Sequence, residues 1–474
     1  MKKFSNIWIQ LGPRFLPFAD AATDQLPLGR LLRLSLFQVS VGMAMVLLTG
    51  TLNRVMIVEL GVPAWLVGIM VSLPLLFAPF RALIGHKSDE HRSVLGWRRV
   101  PYIWFGSMMQ FGGFAIMPFA LILLSGDTHG PAWISHAGAA LAFLLVGAGI
   151  HTTQTAGLAL ANDLAPEEAR PRVVALLYVT LLLGMMGSAA VFGVLLREFR
   201  QVHLIQIIQG VALTTMVLNC IAMWKQEPRN PTVTSAENPR TSFSEAFGQF
   251  VRTPRVMRLL VALGFGTAGF AMQDILLEPF GGEVFGLNVG QTTWLTALLA
   301  CGTLIGFALS ARMLSQGSDP CRIASAGAVI GIFAFAAVIF SPATGSINLF
   351  RLATASIGLG SGLFAVGMLT AAMELADKAA SGLVLGAWGA VQATAAGLAV
   401  ATSGAMRDAV SELAMAGDLG HTLQQTATGY SFVYHTEILM LFVTLVALGP
   451  LVRVSGITNL NLRTGKFGLA QHPG

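Results

Sequence analysis

Predominantly apolar stretches of about 20 residues recur from residue 34 to residue 452. As a helix, each is long enough to cross a hydrocarbon layer about 30 Å thick. Lipid offers no partner to an unpaired backbone amide, so such stretches must be helical. The pattern predicts spanning helices over 34–58, 64–84, 100–124, 135–160, 173–196 and 203–224, and again over 257–280, 291–311, 323–341, 347–372, 382–405 and 431–452. Of the 474 residues, 54% are hydrophobic and only 11% charged, whereas about a quarter of a soluble domain is charged. A chain so poor in charge does not present most of its surface to water. The expected fold is an all-α integral membrane protein with twelve transmembrane helices.

The net charge of +6 does not point to nucleic acid as a partner, because the basic residues sit in short loops between the apolar runs. An even number of crossings puts both termini on one side. With the termini cytoplasmic, all but five of the 29 basic residues fall inside; Arg54, Arg197, Arg200, Arg351 and Arg407 lie toward the other face. The positive-inside rule therefore predicts cytoplasmic termini. Cys220, Cys301 and Cys321 are far apart, with no ligand spacing and no disulfide framework. Residues 1–30 carry Pro13, Pro17 and Pro27 and lack a long apolar core, so a cleavable signal peptide is not expected. Phe4, Ile7, Trp8, Leu11 and Phe15 share one helical stripe; a short interfacial helix and an irregular tail are both open.

The midpoint is marked by KQEPRNPTVTSAENPRTSFSEAFGQFVRTPRV, a polar, proline-rich segment over 225–256. It divides the chain into an N-terminal segment 1–33, a six-helix bundle 34–224, the linker 225–256, a second bundle 257–452 and a tail 453–474. The halves resemble each other. Asn53-Arg54 with Glu59 in the first run is mirrored by Gln273-Asp274 with Glu278 in the seventh, and Asp163 at the end of the fourth by Asp377 at the end of the tenth. Parallel repeats related by an axis along the membrane normal are the arrangement of the major facilitator superfamily.

The loop GHKSDEHRSVLGWRRVPYIW, residues 85–104, carries Gly85, Asp89, Arg92, Gly96, Arg98 and Arg99 in the pattern of that superfamily's signature between its second and third helices. The glycines permit tight turns, and Asp89 can pair with an arginine or cap a helix N-terminus, which makes the loop a candidate gate latch. Its counterpart ARMLSQGSDPCR keeps only Asp319 and Arg322. Charges inside apolar runs are costly and mark candidate sites. Asp274 and Glu278, four apart, share a helix face, and either is a candidate partner for Arg54 across the pseudo-twofold axis. His151 and Gln154 in the fourth run are a candidate pigment site: neutral imidazole suits the magnesium of a chlorin, and serves equally as a structural hydrogen-bonder. His435 and Glu374 are weaker candidates. Small residues in GMMGSAAVFG (184–193), AAGLAVATSG (395–404) and Gly358, Gly360, Gly362 and Gly367 let helices approach closely. No nucleophile triad, phosphate loop or metal cluster is legible, so an enzyme is not expected.

Residues 52–113, from LNRVMIVELGVPAWLVGIM to FGSMMQFGG, and QDILLEPFGGEVFGL (273–287) resemble the PucC/LhaA group, the bacteriochlorophyll-delivery branch of the major facilitator superfamily in purple phototrophic bacteria. The opening FSNIWIQLGPRFLPFADAA (4–22) is more similar to LhaA than to PucC. The resemblance implies a multi-pass protein of the photosynthetic inner membrane that assists assembly of light-harvesting antenna complexes. The implied cargo is bacteriochlorophyll, with carotenoid as a second candidate. The implied partners are the single-span antenna polypeptides, reaction-centre and antenna assembly intermediates, late bacteriochlorophyll-biosynthesis enzymes and membrane lipid. The LhaA-like opening implies the core antenna. Two other readings stay open: a proton-coupled carrier of a small solute using Asp274, Glu278 or Glu374, and a pigment-free scaffold.

Overall fold

Pro27 holds the entering chain extended at φ −63°, ψ 148°, and α1 starts directly behind it over Leu28–Met45. The helix thus begins at Leu28 and not at residue 34: Arg30 and Arg33 join its first turns, since long cationic side chains keep their heads at the interface. The computed structural model describes residues 26–76, 84, 88, 97–124, 132–166, 169–227, 254–375 and 381–452. The interfacial stripe at 4–16, most of the linker and the tail from 453 lie outside them.

The chain then runs through α2 (Ala64–Leu76), α3 (Val100–Leu124), α4 (Ala132–Leu164), α5 (Arg170–Leu195) and α6 (Gln201–Met223). The second half has α7 (Pro254–Ala271), α8 (Leu277–Phe285), α9 (Val289–Ser315), α10 (Pro320–Thr344), α11 (Ile347–Leu375), α12 (Ser381–Ala416) and α13 (Ala427–Leu448). Among the described residues, ten helices are long and apolar enough to cross a membrane. The remaining two predicted crossings correspond to α2 and α12. α12 continues well past the predicted end at residue 405, because the charges of Arg407 and Asp408 are satisfied within the protein and do not end the helix. We call the face where α1 starts the terminal face and its opposite the distal face.

Glycines set the helix spacing. α11 is wedged between two neighbours. Gly358 and Gly362 press on α9 at Leu299 and Thr303, while Gly360 and Gly367 press on α10 at Gly327 and Ala324. In the first half Gly42 of α1 lies against Leu181 and Met185 of α5, and Gly106 of α3 against Thr153 and Gly149 of α4. In lipid there is no hydrophobic drive between helices, so this close backbone approach supplies the packing energy. Trp65, Trp133 and Trp294 stand exposed at the distal ends of their helices, and Trp104 and Trp224 at the terminal ends. Two aromatic belts at the lipid–water boundaries are expected of a spanning bundle.

The buried core shows how the halves meet. One cluster runs through both halves, joining Leu47, Leu52, Met56 and Val67 to Met272, Ile275, Phe280 and Val400. At the terminal face the first half has a separate cluster of Leu31, Leu34, Phe37, Ile103, Leu160 and Val173. Among the described residues, the halves therefore share a core toward the distal face.

Candidate functional site

The seventh crossing is broken. α7 ends at Ala271, a 3₁₀ turn covers Met272–Ile275, and α8 restarts at Leu277. Pro279 explains the break: it has no N–H for the carbonyl of Ile275, the bond a continuous α-helix would need there. The facing end of α1 is irregular too. Val46–Leu52 and Val55–Glu59 are π-helical, a widening found mostly at functional positions.

These two irregular segments meet across the halves. Asn53 Nδ2 donates to the Asp274 carbonyl at 3.1 Å, and the Thr51 and Thr293 hydroxyls lie 3.4 Å apart. The repeat mates Asn53-Arg54 and Gln273-Asp274 thus come into contact. Arg54 is 3% exposed, and its Nη2 donates to the Leu287 carbonyl at 3.2 Å. Its ion-pair partner is Glu59, so the expected Arg54–Asp274 pair is not formed. Glu278, 2% exposed, accepts from the Thr296 hydroxyl and fills the space above Gly50, where a Cβ would collide with its carboxylate. It sits near the Arg54 charge without bonding to it. The Asp274 side chain is exposed, and its Oδ1 accepts from Gln273 Nε2 at 2.5 Å.

A third carboxylate, overlooked in the sequence, completes the region. Glu437 of α13 is 0% exposed and lies beside Asp274 and the Gln273 backbone, and among the described residues neither of its oxygens makes a well-aligned hydrogen bond. The Tyr434 hydroxyl one turn earlier is also unpartnered among the described residues. The signal was present as a lone acid inside the apolar run FVYHTEILMLF. The neighbouring His435 is exposed and bonds only back to Ser431 of its own helix.

A second polar cluster closes the distal face. Arg407 of α12 pairs with Glu283 of α8 and with Asp408 at 2.9 Å, donates to the Tyr430 hydroxyl at 3.1 Å, and lies 4.7 Å from the Tyr430 ring centre. Asp408 also crosses between halves: its Oδ2 accepts from the Trp65 backbone N–H at 2.8 Å, capping the start of α2. Gly404, from the small-residue stripe at 395–404, lets α12 lie directly on Ala64 and Trp65. Gly193 and Gly290 do the same for α5 and α9.

The described part of the signature loop works within the first half. Arg99 Nε pairs with Asp163 of α4 at 3.0 Å and its Nη1 donates to Ser88 at 2.5 Å; Arg98 Nη2 pairs with Asp163 at 3.3 Å. Glu227, just after α6, accepts from the backbone N–H groups of Arg98, Arg99 and Val100 at 2.6, 3.0 and 2.9 Å. It caps α3, where a carboxylate also suits the helix dipole. Gly85, Asp89, Arg92 and Gly96 lie outside the described residues. His151 of α4 is half-buried, and Gln154 beside it donates to Gln38 of α1 at 3.4 Å. The side chain of Glu374 lies outside the description.

Two six-helix halves, joined at one face by buried polar contacts and a broken seventh crossing, define a transporter-type fold of the major facilitator superfamily. The D-xylose–proton symporter is similar to this chain at a TM-score of 0.68 and 13% identity, over 89% of this chain and 97% of that one. Residues 51–456 match the family model described as PUCC protein. The chain is 60% identical over 389 residues to Protein PucC of Rhodovulum sulfidophilum, covering 81% of this chain and 86% of that protein. It is 58% identical, over 98% of each, to a Rhodobacter capsulatus protein described as an uncharacterized protein in the puhA-bchM intergenic region. The chain belongs to the PucC family.

Proposed function

We propose that this protein is an assembly factor for the photosynthetic complexes of purple bacteria, supplying bacteriochlorophyll to single-span antenna polypeptides or holding them while pigment is loaded. The observation that carries this reading is the family match over 51–456, at up to 60% identity with named PucC proteins. The surface chemistry agrees. A chlorin with a long hydrocarbon tail is largely apolar and can travel along a lipid-facing groove. α3 presents Trp104, Phe105, Phe111 and Phe119 outward, and flat rings of this kind suit a macrocycle. His151, on the adjoining α4, is the candidate axial ligand. The core antenna is the favoured client, on the likeness of residues 4–22.

A second reading has its own observation. Asp274, Glu278 and Glu437 gather where the halves join, and among the described residues neither Glu437 oxygen makes a well-aligned hydrogen bond. Carboxylates at a broken helix, two of them buried, suit a proton- or cation-coupled carrier.

Purification in mild detergent from a phototrophic host separates the readings. The assembly role predicts that antenna polypeptides copurify together with the near-infrared absorption of bacteriochlorophyll. Colourless protein free of these polypeptides favours the carrier, and polypeptides without pigment favour a bare scaffold.

A further inference from the structure

A pocket of about 640 Å³ opens at the terminal face of the first half, lined by Gly29, Arg30, Arg33, Trp97, Lys225 and Glu227 together with Gln226. Its electrostatics are one-sided. Three of these residues are cations, and the one carboxylate, Glu227, is committed to the backbone N–H groups that start α3. Arg30 is held in place by Gln226: its Nη2 donates to the Gln226 carbonyl at 2.6 Å and its Nε to the side-chain oxygen at 3.1 Å. Arg33 has a buried Nε with no hydrogen-bond partner among the described residues. An unmade hydrogen bond at a buried cationic donor is costly, so the site lacks an acceptor.

Lys225 adds an independent sign. Its φ of 54° is the only positive value of a non-glycine residue among those described. A lysine in this region costs about 1 kcal/mol or more relative to the ordinary helical region, and glycine would adopt it freely. The strain places the ammonium-bearing residue at the pocket rim directly after α6. The opening is flanked by apolar surface, with Leu32 46% and Trp224 65% exposed beside the cationic residues. Cations over an apolar, outward-facing surface at a helix end match a phosphate group with acyl chains below it.

We propose that this pocket binds the phosphate headgroup of an anionic phospholipid, its acyl chains lying along Leu32 and Trp224. Arg33 supplies the unpartnered donor, and Arg30 and Lys225 the remaining charge. The lipid would bridge the start of α1, the end of α6 and the Trp97 segment, adding to the apolar packing of Leu31 and Leu34 with Ala222 and Met223 and to the hydrogen bonds of Gln226 and Glu227.

The test is native mass spectrometry of the full-length protein in mild detergent with phosphatidylglycerol or phosphatidylcholine. The intact protein should retain phosphatidylglycerol in preference. The double variant R33Q/K225Q, which keeps side-chain length but loses two cations, should bind it about 30-fold more weakly. The charge-conserving variant R33K/K225R should keep it, which separates lost binding from lost folding. No preference for phosphatidylglycerol, or equal retention in R33Q/K225Q, overturns the proposal. Thermal stabilisation by inorganic phosphate without retained phosphatidylglycerol overturns the lipid assignment in favour of a soluble anion.

Discussion

Replacing Gly302 by valine should prevent α9 and α11 from packing and remove most of the folded protein. A Cβ at Gly302 would overlap the backbone carbonyl of Ala355, and γ-methyls would add to the collision. Gly358 stands one turn along the same seam, where a Cβ would overlap the carbonyl of Leu299. Overpacking a core usually costs about 1–3 kcal/mol because side chains can shift. Here the obstacle is backbone on both sides, and α11 is pinned from behind by Gly327 and Ala324 of α10. The cost should exceed about 3 kcal/mol. Gly112→Val on α3, where a Cβ meets nothing within 4 Å, is the matched control and should change little. Thermal unfolding in detergent, followed by tryptophan fluorescence, reads both. Equal stability of the two variants would show that the glycine seam does not set the helix spacing.

The second large effect falls on the junction of the halves. Arg54→Gln should cost about 3–5 kcal/mol, the usual consequence of removing one member of a buried charged group. The side chain of Arg54 is 4% exposed, and its loss leaves Glu278 with no nearby cation. Adding Glu278→Gln should then restore most of the loss, because the stranded carboxylate is gone while its bond to Thr296 can persist. Adding Glu59→Gln should restore little, since Glu59 is 34% exposed and finds water. The opposite pattern, rescue through Glu59 alone, would mean that Arg54 serves only its own helix.

The Arg54 environment shows where sequence reasoning reached its limit. The twelve apolar runs, the polar midpoint and the pairing of Asn53-Arg54 with Gln273-Asp274 were legible because each depends on composition or on a simple repeat. The partner of Arg54 was not. In an α-helix, residues five apart are separated by about 140° around the axis, so Glu59 seems to face away. The π-helical stretch Val55–Glu59 bonds i to i+5 and brings the two onto one face. The seventh crossing was expected as one helix over 257–280; Pro279 is a signal for its break that hydropathy does not read, and the 3₁₀ turn that leaves Asp274 exposed depends on tertiary packing. Glu437 lay hidden in an apolar run, where hydropathy averaging dilutes one acid among many Leu, Val and Phe neighbours. Arg407 was placed only as one of five cations toward the far face, two residues past the predicted helix end at 405. Its ties to Glu283, Asp408 and Tyr430 come from three different helices, a convergence that no local window contains.

The small-residue stripes were legible as packing surfaces but not as to which packing. Gly358 and Gly367 bind α11 to its neighbours inside one half, whereas Gly193 and Gly404 join the two halves at the distal face. That distinction matters for function. Contacts within a half fix a rigid bundle, whereas contacts between halves are the ones a rocking motion would have to break.

The proposed role in antenna assembly is tested most directly in the phototrophic host, by the near-infrared absorption of membranes from a strain lacking this chain, with and without its return. The account predicts a several-fold loss of antenna-bound bacteriochlorophyll in the deletion and recovery when the chain is restored. An unchanged antenna band in the deletion, at equal cell growth, would contradict it.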